Sequence, residues 1–222
     1  MTIHDALTAL ERAGGEQTRK TYRRHGSGEN VFGVSFAELG KLKKQIRRDH
    51  SLALALWETG NADARNLALM IADPRAVAAD TLEKWAWDLE SGFLCSTLAQ
   101  FVAETGVAQE KVHVWSDCGS EWVECTGWLT LARLAGKTDT SLDSWFDERL
   151  GTIEREIHAR QNMVRETMVT ALAAIGIERE MLRERALGVA EKIGKVQVDH
   201  GDTACQTPDP GAQIRKAVAR KK

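Results

Sequence analysis

At 222 residues, 43% hydrophobic and 28% charged, the chain has room for one large domain or two small ones and the composition of a soluble globular protein. Its formal net charge of −2 does not by its sum mark a nucleic-acid binder, and no apolar window of about eighteen residues is present to span a bilayer or form the core of a signal peptide. The chain has only three prolines, with none from residue 75 to residue 207, which argues for helices over β-sandwiches; four cysteines without a CxxC pair read as reduced thiols of a cytoplasmic protein.

Residues 2–26 carry Ile3, Ala6, Leu7 and Leu10 at helical spacing and predict an amphipathic helix, followed by the loop Gly26-Ser27-Gly28-Glu29-Asn30. Ser35, with Glu38 three residues on, reads as a capping box opening a helix through Phe36, Leu39, Leu42 and Ile46. Lys43, Lys44 and Arg47 fall on or near one flank of that helix. Further helices are predicted over residues 52–58, 63–71, 76–90 and 93–104, broken by Thr59-Gly60-Asn61 and Asp73-Pro74. No apolar/polar alternation is long enough for a sheet.

Residues 64–72, 126–135 and 167–176 resemble one another, each an apolar helix ending in an aliphatic residue followed by Ala or Gly. Residues 93–103 fit more loosely between the first two, and the spacings, roughly 30 to 40 residues, are the period of helical repeats whose pairs must stack to bury their apolar stripes. The expected fold is therefore all-α, a HEAT-like or armadillo-type solenoid over residues 1–195, with 196–222 as a polar turn segment and basic tail. An ordinary helical bundle is the alternative.

Basic residues cluster as Arg19, Lys20, Arg23 and Arg24, then Lys41 to Arg48, then Arg215, Lys216, Arg220, Lys221 and Lys222. Such runs usually form solvated helix faces. Asp199, His200, Asp202 and Cys205 offer metal donors, but their spacing fits no standard motif, and turn chemistry is the simpler reading. His113, Trp115, Asp117 and Cys118 read as a packed corner, while His158, Arg160 and Arg165 could face a phosphate. No metal and no cofactor is expected.

Phe32-Gly33-Val34, the run Leu52-Ala53-Leu54-Ala55-Leu56-Trp57-Glu58-Thr59-Gly60 and Ala64-Arg65 resemble the AlkD-like DNA alkylation repair family. The likeness continues through residues 85–96, 121–129 and 162–175. The resemblance implies a HEAT-like solenoid that holds duplex DNA, with catalytic members excising cationic alkylpurines. Such a leaving group needs no general acid, but the oxocarbenium-like sugar needs a nearby anion. The family supplies it from a Trp-x-x-x-Asp helix, with a second Trp and an Arg from later repeats.

Those positions are altered in this chain. Gly92 stands for the tryptophan and Ser96 for the aspartate; the arginine falls at Glu124 or Cys125, and the second tryptophan at Thr170. Asp88 and Glu90, upstream with Trp85 and Trp87, are the fallback carboxylates, with Asp88 about two turns before Ser96 if one helix holds both. The expected function is binding of double-stranded DNA through Lys43, Lys44, Arg47, Arg65 and Arg165, with glycosylase activity weak or absent. An active glycosylase using a non-standard carboxylate and a scaffold for a protein partner are the alternatives.

Overall fold

The computed structural model describes residues 1–137 and 140–221, so Lys222 of the expected basic tail lies outside the described residues. Among them every regular element is a helix, apart from one isolated β-bridge between Gly14 and Val34. None of these helices is long and apolar enough to cross a membrane. The chain divides into two compact units, Met1–Val107 and Ala108–Lys222.

The first unit holds α1 (Ile3–Ala13), α2 (Glu16–Arg24), α3 (Phe36–Ile46), α4 (His50–Glu58), α5 (Ala62–Ile71), α6 (Ala79–Trp87) and α7 (Cys95–Val102). What reads in sequence as one helix over residues 2–26 is broken between α1 and α2 by Gly14-Gly15. The reason is close backbone approach: a Cβ on Gly14 would lie 2.4 Å from the Phe32 carbonyl oxygen. Ser35 caps α3 as expected by accepting the Glu38 N–H, but Glu38 turns its carboxylate to Lys41 and leaves the box half made. The complete box is at α1, where Thr2 and Asp5 bond reciprocally.

α5 is the inner helix of this unit, packed against α3, α4 and α7 and buried on most of its residues. Near its start is a fully buried Asp63, whose carboxylate accepts the backbone N–H groups of Phe32 (2.7 Å), Gly33 (2.9 Å) and Val34 (3.0 Å). Gly33 has φ +80°, and a Cβ there would lie 2.5 Å from the Arg19 nitrogen, so only glycine fits the turn that presents these donors. The Tyr22 hydroxyl donates to the Val34 carbonyl, which fixes α2 to the same strap. Trp57 of α4 stacks on Trp85 of α6 at 4.7 Å, and Trp85 meets Phe101 of α7. These large apolar anchors fill the core.

The second unit holds α8 (Ala108–Trp115), α9 (Glu121–Ala135), α10 (Asp143–Glu156), α11 (Asn162–Glu178), α12 (Arg183–Ile193) and α13 (Pro210–Lys221). α9 and α11 pack side by side as its core, with Trp115, Trp128, Phe146, Met168 and Leu172 fully enclosed. Gly127 of α9 lets the end of α8 approach closely, since a Cβ there would lie 3.0 Å from the Ser116 nitrogen. Arg179, 4% exposed, ties three elements together. It donates to the carbonyls of Ala135 and Leu134 at the end of α9 and to Asp143 at the start of α10, and its guanidinium stacks 4.5 Å over Phe146.

Residues 196–209 run without regular structure, and the basic tail then forms α13. Its Ile214 is fully buried, and a Cβ on Gly176 of α11 would lie 2.4 Å from the Ile214 Cδ1. The glycine is thus the socket for the isoleucine.

Replacing Asp63 by Ala strands three backbone donors and is expected to cost about 3 kcal/mol or more, with Asp63→Asn milder because it keeps an acceptor oxygen. Chemical denaturation of the three proteins checks this ranking. Equal midpoints would mean that water serves these donors instead.

Candidate functional site

In the first unit, the region that should carry a Trp-x-x-x-Asp helix does not form one helix. α6 ends at Trp87, Asp88 caps it, and Gly92 lies in the turn before α7, which bears Ser96 in its first turn. The helices expected over residues 76–90 and 93–104 are both shorter, and Asp88 and Ser96 lie on either side of the break, so the two-turn separation that a single helix would give does not apply. The chain turns through residues 89–94 because Leu89 and Leu94 are both buried and fold inward at either end of a Gly-containing loop.

Asp88 is held on several sides. Its carboxylate accepts from Trp57 Nε1 (2.8 Å) and Lys84 Nζ (2.8 Å) and lies 4.0 Å from Arg65. Burial alone would raise its pKa, but the bonds from Lys84 and Trp57 and the charges of Lys84 and Arg65 outweigh it and hold the group below the usual aspartate range. A carboxylate so engaged is a weak base and a structural acceptor. Glu90 is exposed and lines a cleft of about 260 Å³ with Arg65, Ser91, Phe93 and the loop at residues 26–30. Arg65, expected to meet phosphate, donates instead to the carbonyls of Trp57 and Asp88 and stacks 5.0 Å from the Trp57 ring.

The remaining three expected cations of this unit stay together. Lys43, Lys44 and Arg47 are exposed, have no ion pair among the described residues, and with Arg48 line one side of a groove of about 640 Å³. Thr97, Gln100 and Glu104, on and just after α7, line it from the other helix, and α5 adds Leu69 and Met70. Arg48 is paired to Asp73 at 3.3 Å. Arg47 ends α3 with φ 66° and ψ −123°, the one non-glycine residue at positive φ among the described residues. Such a conformation costs a side-chain-bearing residue about 1–3 kcal/mol and persists only where the surroundings impose it.

In the second unit, the position where the family arginine would fall is occupied by Glu124, which is 2% exposed, and the buried Cys125. Burial pushes the Glu124 pKa up, opposed by the Gly119 N–H it accepts at 2.7 Å and by Arg160. A guanidinium does reach this place, that of Arg160, but Asp117 (2.7 Å), Glu124 (3.4 Å) and Glu156 surround it. Three carboxylates leave it no charge to offer a phosphate, contrary to the sequence expectation. His158 is likewise spent on the Ile193 carbonyl. Arg165 is half-buried and donates to Asn162 Oδ1 at 3.3 Å.

Thr170 is exposed on α11, with its hydroxyl turned back to the Glu166 carbonyl, and opens onto a second groove of about 640 Å³. Sequence reasoning missed this groove because α13 forms one of its sides. The nearby segment of Asp199, His200, Asp202 and Cys205 is pinned to α11: Asn162 brackets Asp199 through both its N–H and its carbonyl, and Thr207 links His200 to Glu166. Among the described residues no three His, Cys, Asp or Glu side chains gather into a metal-holding group.

Comparison with known proteins places these features. The family model described as DNA alkylation repair enzyme matches residues 6–203. Uncharacterized proteins of Listeria monocytogenes and Listeria innocua are each 26% identical, over the full length of both chains for the first and 99% of both for the second. A solved structure matches with a TM-score of 0.93 and 27% identity over all of this chain and 95% of that one. That structure is described as a new family of proteins related to the HEAT-like repeat DNA glycosylases, with affinity for branched DNA structures.

Because Asp88 is held below the usual range, its stabilising contribution is full above about pH 3.9 and disappears as pH falls through its lower folded value. Asp88→Asn is expected to lower the unfolding midpoint at neutral pH, and the gap to the unmodified protein should close on acidification. A gap independent of pH would contradict this.

Proposed function

The chain belongs to the DNA alkylation repair enzyme family, and we propose that it acts there as a DNA-binding protein that grips duplex phosphates without excising bases by the family's usual chemistry. The observation that carries this reading is the first unit's groove, where Lys43, Lys44 and Arg47 stand exposed without ion pairs among the described residues. Charges left in solvent on one wall attract a polyanion through counterion release, with no base contact required. The affinity of the solved relative for branched DNA supports the same direction. Arg65 and Arg165 stand outside the phosphate set: the first is bonded to two carbonyls and the second is half-buried.

The loss of excision chemistry rests on what stands at the family's positions. Neither Gly92 nor Ser96 supplies an anion to an oxocarbenium centre, Glu124 is buried beneath Arg160, and Thr170 has no ring to stack on a cationic base. A second reading has one observation in its favour, the exposed Glu90 at the edge of a cleft with Arg65. In that reading Glu90 provides the missing anion for an alkylpurine.

Binding should weaken steeply with salt. Replacing Lys43, Lys44 and Arg47 together by Ala should flatten the log–log salt slope by about 2 to 3, at roughly 0.9 per phosphate contact, whereas Arg65→Gln leaves it nearly unchanged. Fluorescence anisotropy on a labelled duplex reads both; a slope unaffected by the triple change removes the reading. Release of 7-methylguanine from methylated DNA is expected at the buffer rate. Release above that rate, abolished by Glu90→Gln, would establish the second reading in its place.

A further inference from the structure

We infer that α6 carries a docking surface for a protein partner and that the surface takes an arginine of a basic segment on the face of Trp87. The inference is independent of the DNA-binding reading, since the groove of Lys43, Lys44 and Arg47 is lined from α3, α5 and α7 and the residues next to them, and by none of α6. Trp57, Trp85, Trp115 and Trp128 are buried and Trp122 and Trp145 half-buried, whereas Trp87 is 58% exposed. A single exposed apolar side chain is ordinary, but this one extends into a patch. Lys84, one turn before it on α6, bonds Glu58 of α4 at 2.9 Å, and Leu54, one turn before Glu58, is 37% exposed. The ion pair thus links two exposed apolar side chains across the two helices.

Charge selects the occupant. Lys84, the one cation of α6, is shared between Glu58 and Asp88 (2.8 Å) and has no charge to spare. Asp80, seven residues before Trp87 and so on the same flank of the helix, is an exposed carboxylate with no ion pair among the described residues, and so is Glu90, three residues after the ring. A nucleic acid stacking a base on this ring brings its phosphates against them, which repulsion opposes. A guanidinium is drawn by the same groups: it lies flat on the indole by cation–π attraction and turns its edge to a carboxylate. Leu54, on the other helix, calls for an apolar neighbour beside that cation, which a peptide has and a free amine lacks. An exposed tryptophan is also among the side chains that most often anchor a protein interface.

The test uses the full chain, isotope-labelled so that its indole N–H resonances are followed by NMR, with Trp87→Phe to assign the signal of Trp87. The probe is a labelled synthetic peptide of repeated Gly-Arg-Leu units, against its counterpart with Glu in place of Arg. The Arg peptide is expected to shift the Trp87 signal saturably and the Glu peptide to leave it in place. Trp87→Ala should weaken the Arg peptide about fivefold or more by fluorescence anisotropy, and Asp80→Asn with Glu90→Gln by a similar factor. Affinity of Trp87→Ala for a linear duplex should be unchanged. The unfolding midpoint controls for folding, and the carboxylate pair, both solvent-facing, carries the comparison if Trp87→Ala lowers it. A Trp87 signal that the Arg peptide leaves in place, or peptide affinity that survives these changes, overturns the inference. A Trp87 signal moved by a single-stranded oligonucleotide, or duplex affinity lost in Trp87→Ala, overturns it in favour of nucleic acid. Self-association in sedimentation that Trp87→Ala abolishes overturns it in favour of a second copy of the chain.

Discussion

Among the described residues no sheet is present, so the fold must dispose of the unpaired N–H and C=O groups at every helix end and in every connection by other means. In each unit a buried charge resolves the most crowded case. Asp63 collects three successive N–H groups of the strap between α2 and α3, and Arg179 donates to two carbonyls at the end of α9 and to the carboxylate beside α10. The two are opposites in sign and in task. The anion gathers donors and the cation gathers acceptors, and each exchanges bulk hydration for a shell of backbone dipoles. Removing such a group leaves its partners buried and bare, so the packing of the inner helices α5, α9 and α11 depends on them.

The inner helices were legible because their signal is redundant. Residues 64–72, 126–135 and 167–176 repeat the same apolar pattern, and they coincide with α5 and its cap Ala72, α9 and α11, the buried helices of the two units. The capping serine at position 35 was equally legible, since an N-cap is a local event. Breaks were less so. Gly14-Gly15 interrupts an otherwise continuous amphipathic stretch because a distant segment, at Phe32 and Gly33, passes against it. The break expected between residues 90 and 93 is there but longer, running from Asp88 to Leu94, because Leu89 and Leu94 both find burial within it. α13 hid in a run read as charged tail, where one isoleucine at 214 carries the docking.

Cations divide in the same way. In the sequence Arg65 stands with Lys43 and Arg47 among the cations expected to meet phosphate and Arg160 only among those that could, and the structure draws both into the fold. A planar guanidinium bridges carbonyls and carboxylates that converge from different elements, and which ones converge is a tertiary fact. Arg65 joins the ends of α4 and α6 through two carbonyls, and Arg160 gathers carboxylates from the turn after α8, from α9 and from the end of α10. The chemistry of the residues to which the resemblance carries the family's site is read from their identity alone, because no arrangement makes an anion of Ser96. What fills their surroundings is not, for the groove beside Thr170 exists only once α13 is in place.

Arg47 holds a backbone shape that glycine would adopt without strain. Selection for durability alone would exchange it, gaining stability and shedding a charge from the groove in a single step. An arginine there carries a cost of about 1–3 kcal/mol, and hydrogen bonds within the fold do not offset it, for its side chain has no partner among the described residues. The end of α3 thus behaves as a loaded joint: the fold bears a standing tension at the place where the helix stops and an exposed cation stands.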